Sequence, residues 1–146
     1  MYNYAMVGFK FYIPITVHYG DIDAQWHVNN ARYVSYIEQA RIEYLKQLGL
    51  FDGKTYLDLK GIIADVHVSY LAPIVFGQSI RVGTRTVRIG NKSISFEYVI
   101  EDESSGKILS TAEVVVVTYD YRNQQSIPVP DDWRKKIAEY EGLSFD

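Results

Sequence analysis

The sequence predicts an α+β fold in which one antiparallel sheet is wrapped around a single long helix. Three observations carry that expectation. From Ala31 to Leu48, Tyr33, Ile37, Ala40, Tyr44 and Leu48 recur at steps of three and four, the apolar stripe of an amphipathic helix. From Ile62 to Tyr121 the pattern changes to alternation and stays there. The alternating stretches are joined mostly by short turns, which suit antiparallel neighbours, whereas parallel strands need long crossovers. Such a sheet has an apolar face that needs a cover, and only the helix is long enough to supply it.

The elements follow in order. Phe9 to Tyr19 is rich in β-branched and aromatic residues, with Pro14 marking an edge position or a bulge. In the long helix Glu38 and Arg41 sit one turn apart, as do Glu43 and Lys46, and Gly49 is a fitting C-terminal stop. Glu38 and Arg41 are expected to pair at the surface or between subunits. A strand is expected over Ile62 to Leu71, ended by Pro73. Ser79 to Ile89 and Ser93 to Ile100 form a hairpin around "GNK", and Ile108 to Tyr121 contains the buried run "VVVV". Pro128, Pro130 and "DDWRKKIAEY" then predict a short terminal helix with acidic residues in its first turn. No repeat or linker interrupts the pattern, so residues 1–146 read as one domain.

Composition narrows the function. The 146 residues are 47% hydrophobic and 23% charged, an ordinary globular mixture. A net charge of -3 argues against nucleic acid as the main partner, because phosphate binding calls for a basic face. No apolar run is long enough to span a bilayer, and "MYNYAMVGFKFY" lacks the order of a signal peptide, so a cytoplasmic protein without membrane contact is expected. The absence of cysteine excludes disulfides and thiol catalysis. There is no GxSxG elbow, and the three histidines have no metal-ligand spacing, so neither a serine hydrolase nor a metal site is expected. His18, in the first strand, reads as a packed histidine.

Polar chemistry is concentrated in "YGDIDAQWHVNNARY", Tyr19 to Tyr33, just before the helix. The first amides of a helix have no intrahelical partner and carry partial positive charge. An oxygen docked at Asn29 or Asn30 therefore meets ready donors. Asp23, a few residues upstream, is able to fold back toward that helix end. As side chains, Asn29 and Asn30 read as caps, and Asp21 as a carboxylate bonding the amides of its own turn.

The stretch "YGDIDAQWHVNNARYVSYIEQAR", Tyr19 to Arg41, resembles the signature of the hotdog-fold acyl thioesterases, in their 4-hydroxybenzoyl-CoA thioesterase-like and acyl-ACP thioesterase branches. The matching positions are Tyr19, Asp21, Asp23, His27, Val28, Asn29, Asn30 and Tyr33. The resemblance implies a hotdog fold, a five-stranded antiparallel sheet around one long central helix with a short C-terminal helix, and hydrolysis of an acyl-CoA or acyl-ACP thioester without a cofactor. It makes Asp23 the essential carboxylate, either as nucleophile giving a mixed anhydride or as base on water. Asn30 polarises the carbonyl, and Asn29, Trp26 and Tyr33 become substrate contacts. His27 either orients water or holds the loop. Gln25 stands where the acyl-ACP branch has Asn, and Trp26 stands where many relatives have Gly. Arg81, Arg85 and Arg88 either meet coenzyme A phosphates or form a solvated strand face. Open sheet edges, together with the resemblance, imply a homodimer or homotetramer with sites at the subunit boundary. The alternatives within this fold are a non-catalytic acyl-binding module and a dehydratase acting on a thioester.

Overall fold

The structure is a computed structural model and describes residues 8–144. Its elements are β1 (Phe11–Ile15), α1 (Asn30–Gln47), β2 (Gly61–Tyr70), β3 (Ile80–Ile89), β4 (Ser93–Asp102), β5 (Ile108–Asp120), β6 (Gln125–Ser126) and α2 (Asp131–Glu141). The strands form one antiparallel sheet in the order β1-β3-β4-β5-β2, and the two-residue β6 adds to β5 as a sixth member that the sequence pattern did not signal. β1 lies at one edge, where Pro14 has no amide to contribute to a ladder. β2 lies at the other edge.

The buried stripe of α1 is Tyr33, Tyr36, Ile37, Ala40, Arg41, Tyr44 and Leu45. It meets Ile80, Val82, Ile94, Phe96, Tyr98 and Ile100 on the concave face of the sheet, and α2 inserts Trp133 and Ile137 into the same core. The helix ends at Leu48, followed by Gly49 at φ 73°, a left-handed conformation that glycine adopts without a steric penalty. At its other end Asn29 is the N-cap, and its side chain accepts from the Ala31 amide at 2.9 Å. Among the described residues no helix is long and apolar enough to cross a membrane.

Coverage is uneven. α1 packs mainly on β3 and β1, while β2 is exposed along most of its length. Ile62, Ile63, Val66 and Tyr70 are each more than two-fifths exposed, and among the described residues the outer hydrogen-bonding edge of β2 faces no other strand. Ala64 is the extra residue of a bulge in its ladder with β5.

One pairing and one packing expectation differ from the sequence reading. Among the described residues Arg41 forms no ion pair with Glu38; it is buried and donates to the Tyr98 hydroxyl at 3.1 Å. His18 lies beyond the end of β1 and is exposed, so it is not packed. The expected Glu43–Lys46 pair is present at 3.6 Å on the surface.

Candidate active site at the start of α1

The loop between β1 and α1 is a small folded unit. A 3-10 turn at Tyr19–Asp21 leads into a tight hairpin, whose arms meet at the Ile22–Val28 bridge. Across its tip the Trp26 amide donates to the Asp23 carbonyl and the Asp23 amide to the His27 carbonyl, both at 3.0 Å. That geometry is closed by Trp26 at φ 65°, a left-handed backbone that costs a bulky residue about 1–2 kcal/mol. The Gly-to-Trp difference noted in the sequence thus falls where the chain needs a positive φ. The hairpin is docked by the Val28 amide donating to the Ile74 carbonyl at 2.8 Å.

Asp21 holds the unit from inside. Its carboxylate accepts from the His18 amide at 3.0 Å and the Tyr36 hydroxyl at 2.8 Å, with the Arg32 guanidinium 3.6 Å away. Burial alone would raise its pKa. The His18 and Tyr36 bonds and the Arg32 charge outweigh that and hold it below the ordinary value. Burial and the bond to Asp21 push the Tyr36 hydroxyl strongly upward, so it remains a donor.

Asp23 is differently placed. It is partly exposed, and its two carboxylate oxygens accept from the Gln25 amide at 2.9 Å and the Asn29 Nδ2 at 3.2 Å. Asn29 therefore acts twice, capping the helix with one side-chain atom and orienting Asp23 with the other. Its own amide is used on the Asp21 carbonyl, and the Arg32 amide on the Asn29 carbonyl. The Asn30 amide has no partner among the described residues, and it stands at the positive end of α1.

Two shallow clefts flank this point. One, of about 380 Å³, is bordered by Asp21, Asp23, Asn29, Arg32 and Ser35. The other, of about 260 Å³, is bordered by Gln25, His27, Asn30, Tyr33 and Tyr70. Asp23 and His27 thus open on different sides of the hairpin in the single chain, with Asn29 and Asn30 between them. Tyr33 is buried, its ring edge-on to Tyr70 at 4.8 Å, and burial raises its hydroxyl pKa. Tyr70 in turn donates to the Asn30 carbonyl at 3.0 Å. Trp26 is 79% exposed at the hairpin tip.

The arginines lie elsewhere. Arg81 and Arg85 make cross-strand ion pairs with Glu101 and Glu97, and their guanidiniums stack over Tyr12 and Phe9. Arg88 is exposed beyond the β3 bulge. None of the three borders either cleft. The cation that does is Arg32, and the aromatic neighbour is Tyr70; neither stood out in the sequence, because their roles depend on how the loop and the end of β2 come together.

Known proteins share this architecture. A profile of the thioesterase-like superfamily matches residues 17–137. The long-chain acyl-CoA thioesterase FadM of Escherichia coli is 25% identical over 118 residues, covering 81% of this chain and 89% of the relative. The acyl-CoA thioesterase YbgC of Haemophilus influenzae is 29% identical over 128 residues, 86% of this chain and 90% of the relative. A Thermus thermophilus thioesterase solved with coenzyme A and Zn superposes with a TM-score of 0.82 at 30% identity, covering 94% of this chain and 98% of that one. With the profile spanning most of its length and the fold matching throughout, the chain belongs to the thioesterase-like superfamily and is a hotdog-fold thioester hydrolase.

Proposed function

We propose that the protein hydrolyses an acyl-CoA, with Asp23 as the reacting carboxylate and the first turn of α1 as the oxyanion site. The observation that carries this reading is the Asn30 amide, without a partner among the described residues at the positive helix end, next in sequence to the Asn29 that orients the Asp23 carboxylate. A thioester carbonyl oxygen at that amide gains a donor whose strength grows as negative charge develops, a contribution typically worth about 10²–10³ in rate. Asp23 then attacks the carbonyl carbon to give a mixed anhydride, or removes a proton from an attacking water; the thiolate of coenzyme A leaves in either case. His27, on the other side of the hairpin, is assigned to water positioning. The choice of carrier rests on the acyl-CoA thioesterases among the relatives.

The assembly is part of this reading. Of the two sheet edges β2 is the long and apolar one, and β1 is short and interrupted by Pro14. Antiparallel pairing of β2 with the same strand of a second copy gives a homodimer with a continuous sheet, and two such dimers a homotetramer. A two-fold axis near Val66, at the middle of the strand, sets Ile62 of one copy opposite Tyr70 of the other. The Tyr70–Asn30 corner then stands at the subunit boundary.

Thiol release from a panel of acyl-CoAs, with one acyl-ACP of matched chain for comparison, tests the function. Asp23→Ala and Asp23→Asn are expected to lower kcat by about 10³-fold or more, the scale seen when a reacting group is removed. Unchanged release by both variants would mean that Asp23 is not the reacting carboxylate.

A further inference from the structure

A mostly apolar cavity lies away from the Asp23 hairpin, between α1 and the sheet. It holds about 370 Å³, and Ile94, Phe96, Val116 and Trp133 form its walls, with Glu38 and Arg41 on the helix side. Ile62 and Ile63 of the open β2 edge complete it. In the two-fold pairing proposed above, that edge lies next to the Asn30 corner of the second copy, which sets this space beside the place proposed for the thioester carbonyl.

One feature of the lining is out of keeping with a site for plain hydrocarbon. Arg41 is only 8% exposed, yet no carboxylate lies within ion-pair distance of it among the described residues. Its hydrogen-bond partner is the neutral, fully buried Tyr98 hydroxyl. Burial raises that hydroxyl to about 12, against the opposing pull of Arg41, so Tyr98 supplies no compensating charge at neutral pH. A guanidinium has five donors in a fixed fork, and Arg41, which borders the cavity, has one hydrogen bond among the described residues, to Tyr98. A buried charge without a counter-charge is costly, and an anion entering the cavity is what relieves it. Glu38, the other charged group of the lining, is exposed and makes no ion pair among the described residues. It stands one turn from Arg41 and weakens the attraction without neutralising it.

We propose that this cavity is a selective acyl subsite in which Arg41 binds a carboxylate at the far end of the acyl group, making mono-thioesters of dicarboxylic acids the preferred substrates. The proposal rests on the thioesterase reading and adds the substrate class to it. The hydrocarbon walls take the chain, and the carboxylate pairs with the guanidinium in a bidentate fork.

Matched pairs of acyl-CoAs ending in methyl or carboxylate test it at several chain lengths, hexanoyl beside adipoyl and decanoyl beside sebacoyl. The unaltered protein is expected to favour the carboxylate-ended member at one length by about 30-fold or more in kcat/KM, the fold-change for a buried charge pair at the low end of its usual strength. Arg41→Gln should reduce that ratio by a similar factor, Arg41→Lys by less, and Glu38→Gln should increase it. A merely structural role for Arg41 lowers kcat/KM for both members and leaves their ratio alone, which would overturn the proposal. So would a preference for the methyl-ended member at every length. A second readout does not depend on turnover: adipate or sebacate should raise the melting temperature of the unaltered protein more than hexanoate or decanoate does. Equal effects of diacid and monoacid would overturn the subsite even if hydrolysis of both thioesters proceeds. Diacid protection without hydrolysis of any thioester would leave the subsite standing and count against the thioesterase reading alone.

Discussion

The two ends of α1 are finished in opposite ways. At the C-terminal end Tyr44 is fully buried, and its hydroxyl is bonded both to Thr86 Oγ1 at 2.9 Å and to Glu141 Oε2 at 2.7 Å. The same Glu141 oxygen accepts the Thr86 amide at 3.0 Å, and Lys10 closes the far side by donating to the Tyr140 and Glu141 carbonyls. These bonds tie the end of α1 to β3 and α2. At the N-terminal end the Asn30 amide has no partner among the described residues, Asp23 is partly exposed, and Trp26 holds a strained backbone. The difference fits a helix with two purposes: the satisfied end fixes the fold, and the end with polar groups to spare is the one assigned to the substrate in the proposed mechanism.

The comparison is broken first at Asn29, which both caps the helix and orients Asp23. Asn29→Ala should lower kcat by about 100-fold, the scale of a small misplacement of a reacting group, and destabilise the protein by about 1 kcal/mol through the lost cap. Kinetics and urea unfolding on one sample separate the two effects. A stability loss with unchanged kcat would leave Asn29 as a cap alone.

Glu141 is the corresponding residue at the closed end. Glu141→Ala removes the charged acceptor of Tyr44 and of the Thr86 amide, and is expected to cost about 2 kcal/mol, the usual worth of hydrogen bonds to a charged group. With the proposed site at the other end of α1, kcat should stay within about twofold, well under the 1.4 kcal/mol that marks a tenfold change. A fall in kcat as large as that of Asn29→Ala would mean that the two ends are not separable.

Much of the closed end, and of the fold, was legible in the sequence because it rests on local signals. The stripe from Tyr33 to Tyr44, the stop at Gly49 and the period-two strands follow from spacing, and the Asn29 cap follows from its place before the stripe. What was not legible depends on residues brought together from far along the chain. Arg41 was expected to meet Glu38 one turn away, but burial turns it toward Tyr98, 57 positions on. The partner of Tyr44, Glu141, lies 97 positions away. The Arg81 and Arg85 pairings follow from the β3–β4 register, which alternation alone does not specify. At the site, the sequence placed Asp23, Asn29 and Asn30 at the helix start. It did not show that His27 opens on the opposite side of the hairpin, because that depends on the backbone at Trp26.

Trp26 gives the smallest and most diagnostic effect. With its ring 79% exposed, little packing is lost when it is removed, whereas its φ of 65° carries a steric cost. Trp26→Gly removes that cost and adds unfolded-state entropy of roughly 0.5–1 kcal/mol, so a net gain of about 0.5 kcal/mol is expected. Trp26→Ala deletes the ring but keeps a Cβ in the left-handed region, and should gain nothing. Urea midpoints at constant m-value measure both. Equal stability of the Gly and Ala variants would show that the hairpin tip is not strained. The same pair resolves the role of the ring. If Trp26 contacts the acyl-CoA, both variants raise KM; if it acts by fixing the path of the loop between Asp23 and His27, the Gly variant alone changes kcat, because only there is the backbone released.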